Sequence, residues 1–272
     1  ISADRKYFAV NSYLVDGGGE QEESFRTVST YVMDERDGRI LRTIPAAAAQ
    51  RFHPADSNIL VYVKLTHEIG VAGHIVFSSD LRALNITTGE EWSLRGASDA
   101  DHCVASFDWD PTGTRIVLSR SLQGTPCDGK FGSFELVTIP WDEGRGGDAL
   151  VLDMGQSEPS GIAYPRFSID GKWIVFSRTT RGFREVGSGD LWAVPAGGGQ
   201  AHRLSVSTDA MESLHAFSPD GKWLVFQSNR DRIDEIKGYV ARFYADGTIA
   251  PAIPLPHAGH EDVSIVTIDW TP

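Results

Sequence analysis

Apolar and polar positions along this chain recur as one unit. Two copies are nearly superimposable: Phe167-Ser168-Ile169-Asp170-Gly171-Lys172-Trp173-Ile174-Val175-Phe176-Ser177 and Phe217-Ser218-Pro219-Asp220-Gly221-Lys222-Trp223-Leu224-Val225-Phe226-Gln227. A third runs Trp109-Asp110-Pro111-Thr112-Gly113-Thr114-Arg115-Ile116-Val117-Leu118-Ser119, and a weaker fourth joins Phe52-His53-Pro54 to Ile59-Leu60-Val61-Tyr62. In each copy an aromatic residue closes one strand, a tight turn follows, and an apolar run opens the next strand. Pro-Asp-Gly suits that turn, because proline fixes φ, aspartate bonds the backbone and glycine accepts the left-handed position. An apolar run without alternation predicts a strand covered on both faces.

The remainder of each unit predicts a second hairpin. Asp80-Leu81-Arg82-Ala83-Leu84 leads through Thr88-Gly89 to Glu91-Trp92-Ser93-Leu94, and Asp190-Leu191-Trp192-Ala193-Val194 leads through Gly197-Gly198-Gly199 to His202-Arg203-Leu204. Thr30 to Met33 before Asp37-Gly38, Phe134 to Ile139 before Gly144 to Gly147, and Val240 to Tyr244 before Asp246-Gly247 repeat the theme. Four strands per unit is the content of a propeller blade. Equivalent positions fall at 1, 52, 109, 167, 217 and 270. The start, Ser2 to Asn11, reads as a unit entered at its turn, and the finish, Val263 to Pro272, as a unit that stops there. The expectation is therefore all-β: a single β-propeller domain over 1–272, with five four-stranded blades. Pairing of Tyr7–Val10 with Val263–Trp270 would close the ring and remove its open edges. Part of a six-bladed propeller is the alternative count.

The phrase Phe-Ser-Pro-Asp-Gly-Lys-Trp-Leu-Val-Phe-Gln-Ser-Asn-Arg-Asp at 217–231 resembles the repeat of TolB-type propellers, also found in prolyl oligopeptidase-like and tricorn-like propellers. The likeness is strong in the fourth and fifth units and weak in the first two, where Arg5 and Asp56-Ser57 replace the turn glycine. Its residues are turn and core residues, so no catalytic role carries over. What the resemblance implies is a periplasmic or secreted protein that binds other proteins through its loops.

Composition narrows the classes further. A net charge of −12 opposes nucleic-acid binding, which needs basic patches, and disfavours docking on anionic lipid by charge. No apolar run reaches the ~20 residues of a bilayer span. The chain opens on Ile1 rather than Met, which reads as a processed or trimmed product whose missing part could have been a signal or an anchor.

Cys103 and Cys127 are the only cysteines. One sits at the start of the third blade's first strand and the other in the loop between its second and third strands. Both places lie on one rim, so a disulfide is feasible and would fit an oxidising compartment; two free thiols are the other reading. That rim also collects the long connections predicted at 16–24, 66–79, 121–132, 179–189 and 229–238, with 96–102, 153–160 and 256–262 between blades. Binding is expected there. Arg178, Arg181, Phe183 and Arg184, extended by Arg230 and Arg232, form a basic and aromatic patch suited to a protein partner.

Other chemistry is thin. His257, His260, Glu261, Asp262, His102, Asp99 and Asp101 share the rim but match no defined metal motif. Asp108 and Asp269 precede tryptophans on innermost strands at the turn end, where a glycosidase pair is not expected. No nucleophile elbow, phosphate loop, dinucleotide fingerprint or Cys-x-x-Cys-His occurs, and no cofactor is expected. The sequence thus predicts a non-catalytic periplasmic or extracytoplasmic protein-binding propeller, docking onto an envelope protein or serving as an extrinsic subunit of a membrane complex. The competing reading is a small-ligand or metal-binding propeller, a hydrolase among its forms, with its site at the funnel mouth.

Overall fold

The computed structural model describes residues 1–12, 29–71, 74–98, 102–123, 132–154, 161–179, 189–233 and 235–256, with backbone alone at 66–71 and 74–77. It is all-β. Strands β1 (Tyr7–Ser12), β2 (Ser29–Asp34) and β3 (Ile40–Pro45) form a three-stranded antiparallel sheet. Four four-stranded antiparallel sheets follow in sequence order. The second contains β4 (Ala47–Phe52), β5 (Ile59–Val71), β6 (His74–Asn85) and β7 (Glu91–Ser93). The third contains β8 (Val104–Trp109), β9 (Arg115–Ser121), β10 (Phe134–Pro140) and β11 (Leu150–Asp153). The fourth contains β12 (Gly161–Phe167), β13 (Trp173–Thr179), β14 (Asp190–Pro195) and β15 (His202–Arg203). The fifth contains β16 (Glu212–Phe217), β17 (Trp223–Arg232), β18 (Glu235–Arg242) and β19 (Ile253–Pro254).

The cores lie between consecutive sheets, which explains why the strands carry apolar runs instead of alternation. Leu60 and Tyr62 pack with Val32 and Ile44 of the first sheet, whereas Val61 and Val63 pack with Val104, Trp109 and Leu118 of the third. Val117 and Leu136 meet Ile162, Ile174 and Phe176, and Val175 and Leu191 meet Leu224, Phe226 and Tyr239. Each central strand therefore buries both faces. The expected pairing of Tyr7–Val10 with Val263–Trp270 involves residues outside those described.

One device fastens the short turns. Ser168 Oγ accepts from the Trp173 amide at 3.0 Å and donates to Asp170 Oδ1 at 2.6 Å, while Asp170 Oδ1 accepts from the Lys172 amide. Ser218, Asp220, Lys222 and Trp223 repeat this at nearly the same distances, and so do Ser2, Asp4, Lys6 and Tyr7. Where the sequence departs, the function of the position survives. Asp110 Oδ1 accepts from the amides of Thr114 and Arg115, and His53 Nδ1 accepts from those of Ala55 and Asp56. Arg5 occupies the turn-glycine position at φ 57°. Gly113 is required on two counts: φ is +75°, and a Cβ would fall 2.5 Å from the His53 ring.

Two expectations are corrected. Residues 66–79 were expected as a loop, yet β5 runs on to Val71 and β6 starts at His74, with Ile69 opposite Val76 and Gly70 opposite Ile75. The two glycines and flanking histidines suggest a loop, but the apolar residues between them support a ladder. The connection expected at 229–238 is likewise a hairpin, closed by Arg232 opposite Glu235.

The innermost strands carry a feature with no local signal. In β4, β12 and β16 the register slips, and Ala49, Tyr164 and Leu214 take φ of 48°, 53° and 48°. Each stands three residues before the closing aromatic. Bulges at equivalent sites turn these strands alike, although no glycine marks them.

Candidate interaction surface

The rim that carries the interblade connections is built on cations near the ends of the second strands. Lys64 in β5, Arg120 in β9 and Arg178 in β13 occupy equivalent positions, and each reaches back to the preceding blade. Lys64 Nζ donates to the Pro45 carbonyl at 2.6 Å, and Arg120 Nη1 to the Gly96 carbonyl at 3.1 Å. Arg178 Nη2 donates to Asp153 Oδ2 at 2.5 Å, with the two side chains 11% and 9% exposed. Its guanidinium carbon lies 3.9 Å from the centre of the Trp192 ring. In β17 the task moves two residues on. Arg230 Nη2 donates to the Val206 carbonyl at 2.8 Å and to Glu212 Oε1 at 3.1 Å, over the Tyr239 ring at 4.5 Å.

Glu212 is fully buried and has a full set of donors: Arg230, Ser228 Oγ, and both the amide and hydroxyl of Thr208. Burying a carboxylate is costly unless charge and hydrogen bonds meet it. This residue was not singled out in the sequence, where an isolated glutamate carries no signal. Arg120 is similarly held by Glu135 at 2.7 Å.

Arg178 and Arg230 were expected to contact a partner, and the structure gives both an internal role joining consecutive blades. Arg232 is exposed and closes the β17–β18 hairpin; beside it Ile233 is 90% exposed. Lys237 faces Asp231 at 3.3 Å and Glu235 at 3.4 Å, and Asp231 holds the ammonium above its ordinary pKa. Arg181, Phe183 and Arg184 lie outside the described residues. So do Asp99, Asp101, His257, His260, Glu261 and Asp262. Cys103 is buried and is not a free thiol, while its expected partner Cys127 lies outside the described residues.

Two other regions were weighed for chemistry. On neighbouring innermost strands, Asp108 Oδ1 lies 3.5 Å from Arg51 Nε and 3.6 Å from Arg166 Nη1, and Oδ2 accepts from the Phe167 amide. This carboxylate is occupied with interblade contacts; Asp269 lies outside the described residues. Nearby, His215 is buried, with Nε2 donating to the Val175 carbonyl at 3.0 Å. Desolvation pushes its pKa down to about 3, so the ring stays neutral at pH 7. On the opposite rim, a cavity of about 370 Å³ between the fourth and fifth sheets is lined by Ile169, Trp173, Asp220, Lys222, Arg242 and Tyr244. Among the described residues no group of three His, Cys, Asp or Glu side chains converges to hold a metal, and no helix is long and apolar enough to cross a membrane.

Comparison with known proteins now has a geometry to meet. No family model matches the chain, and no curated protein matches its sequence. Solved structures do match. TolB from Acinetobacter baumannii is 19% identical, with a TM-score of 0.54 over 93% of this chain and 52% of that one. The fold is that of a TolB-like β-propeller. A putative TolB from Agrobacterium tumefaciens agrees at 19% identity and TM-score 0.52, covering 81% of this chain and 65% of that one. An oligogalacturonate lyase in complex with manganese, 14% identical, gives a TM-score of 0.57 over 95% and 65% of the two chains. The chain therefore spans about half to two thirds of the length of these neighbours. TolB-like propellers thus include both TolB and a lyase, so the fold alone assigns no activity.

Proposed function

We propose that this TolB-like propeller is a non-catalytic extracytoplasmic docking protein. It binds an envelope protein, or serves as an extrinsic subunit of a membrane complex, through the rim that carries the interblade connections. The observation that carries this reading is the asymmetry of the two rims. One consists of short turns each fastened by a buried-side acceptor, and the other extends hairpins beyond the blades and presents Ile233 to solvent. A Cys103–Cys127 disulfide belongs to the same reading, because an oxidising compartment would preserve it. Arg181, Phe183 and Arg184 join Arg232 and Ile233 as contact candidates.

The second reading, a small-ligand or metal-binding propeller with hydrolase activity among its forms, rests on the Arg51–Asp108–Arg166 row along the innermost strands. Affinity capture from native envelopes after mild cross-linking separates the two. A partner held at one-to-one stoichiometry supports docking. A chain that stays monomeric and partnerless, while a small ligand or divalent cation raises its melting temperature, sinks docking and supports the second reading.

A further inference from the structure

The turn rim carries a site that the docking reading does not use. Between the fourth and fifth sheets lies the cavity of about 370 Å³, a size within the roughly 300–1,000 Å³ of small-molecule pockets. Its walls are largely apolar and accessible: Ile169 is 45% and Tyr244 42% exposed, beside Trp173. Three contacts hold the indole of Trp173 in place. Its Nε1 donates to the Ala245 carbonyl at 3.1 Å, the His202 ring meets it edge to face, and a Cβ on Gly247 would fall 2.5 Å from it. This wall is therefore positioned in advance of any ligand.

Equivalent positions in the other blades show what is particular here. The Phe243 amide donates to the Lys222 carbonyl, as Ala196 does to Lys172, Trp141 to Thr114, Ile86 to Asn58 and Glu35 to Lys6. The residue before that amide is Arg242 in the fifth blade and Asp34, Asn85, Pro140 or Pro195 in the others. The residue after it is Tyr244 in the fifth blade and Arg36, Thr87, Asp142 or Gly197 in the others. Among these five hairpins, the fifth alone has a cation at the first position and an aromatic at the second. Nearby cations have acid partners: Lys172 and Lys222 face Asp170 and Asp220 at 3.5 Å. Arg115, which takes the place of Trp173 one blade earlier, reaches Asp110 and the Ala196 carbonyl. Arg242 is exposed and lies over the Tyr244 ring at 5.7 Å, and among the described residues no carboxylate pairs with it.

We propose that this cavity binds a small aromatic monocarboxylate, with its carboxylate on Arg242 and its ring among Trp173, Tyr244 and Ile169. A guanidinium fits a carboxylate through two parallel hydrogen bonds. Aromatic walls favour a ring in edge or offset contact. Charge sets the valence. Arg242 balances one negative charge, while Asp170 and Asp220, which also line the cavity, repel a second. Phosphate esters and dicarboxylates are thereby disfavoured. Both aspartates already accept from their own turn serines and from the amides of Lys172 and Lys222. An aromatic amine would have to compete with those donors and with the two lysine ammonium groups.

The test titrates the full chain with indole-3-acetate and follows the Trp173 indole N–H and the backbone amides by NMR. Saturable shifts are expected at Trp173, Arg242 and Tyr244, with acetate, indole and tryptamine each binding about tenfold more weakly or worse. Arg242→Gln should weaken indole-3-acetate by about tenfold or more with its unfolding midpoint unchanged. Tyr244→Gly, which installs the residue of the fourth blade, should weaken it by about threefold. Arg39→Gln, on the first sheet, should change nothing. Equal binding by Arg242→Gln, tighter binding of tryptamine, or the lack of any saturable shift overturns the proposal. Shifts at Arg51 and Arg166 instead also overturn it, by moving the ligand to the innermost strands. The docking reading stands or falls separately, on capture of a partner through the other rim.

Discussion

The two rims of this propeller solve opposite problems with the same strands. At the turn rim, five positions (Ser2, His53, Asp110, Ser168 and Ser218) each accept backbone amides of the turn that follows. The side chains differ, yet the hydrogen bond recurs. At the other rim, cations clasp the preceding blade close to the strand ends, and what extends past them varies from sheet to sheet. The second sheet sends out a long ribbon, and the fifth closes on an exposed isoleucine. Repeated short-range bonds hold the turns and side-chain clasps hold the opposite strand ends, which leaves the far ends of the hairpins free to diverge.

The largest expected effect tests the clasps. Replacing Arg230 with alanine leaves Glu212 buried without its cation, at a cost of about 3–5 kcal/mol. Urea unfolding should show the loss, and replacing Glu212 with glutamine alongside it should recover part of that loss. A fall of less than ~1 kcal/mol in the single variant would mean that Arg230 is a surface residue available to a partner.

The next effect is set by pH. His215 has a folded pKa held well below its unfolded value of about 6.5. The unfolded chain therefore takes up the proton first as pH falls, and stability present above ~6.5 is lost on descending toward 3, by at most about 1.4 kcal/mol per pH unit from this group. Unfolding of the native chain and of His215→Gln at pH 7.5 and 5 measures it. The variant should lose less on acidification; equal losses would show that His215 is solvated in the folded state.

Smaller effects belong to the turn rim. Ser218→Ala removes the acceptor for the Trp223 amide and should cost about 1 kcal/mol, and Ser168→Ala should match it, because the two turns have the same geometry. Unequal losses would break the equivalence of the repeats. Smallest, Arg5→Gly relieves a left-handed arginine and should raise stability by up to about 1 kcal/mol, less the entropy glycine adds to the unfolded chain. A loss instead would show that the Arg5 side chain contributes more than its backbone costs.

Legibility in the sequence follows the range of the interactions. The turns and strands at 167–177 and 217–227 could be read directly because their bonds close within six residues, and the strand boundaries found there follow the repeat. Arg178 and Arg230 could be singled out as cations, but their partners Asp153 and Val206 lie in or just after the preceding blade, and Glu212 lies on the innermost strand of Arg230's own blade, so a solvent-facing patch and an internal clasp read identically. The strands within 66–79 were missed because glycines and histidines suggest a loop unless their cross-strand partners are known. The bulges at Ala49, Tyr164 and Leu214 have no local signal, since their left-handed residues are not glycines.

Hydrogen exchange on the chain with and without its captured partner tests the division of labour between the rims most directly. The account predicts slowed exchange in the hairpins at 59–85 and 223–242, and no change at the turn amides of Lys6, Trp173 and Trp223. Slowed exchange confined to those turns and the groove beside Trp173, with both hairpins unaffected, would contradict it.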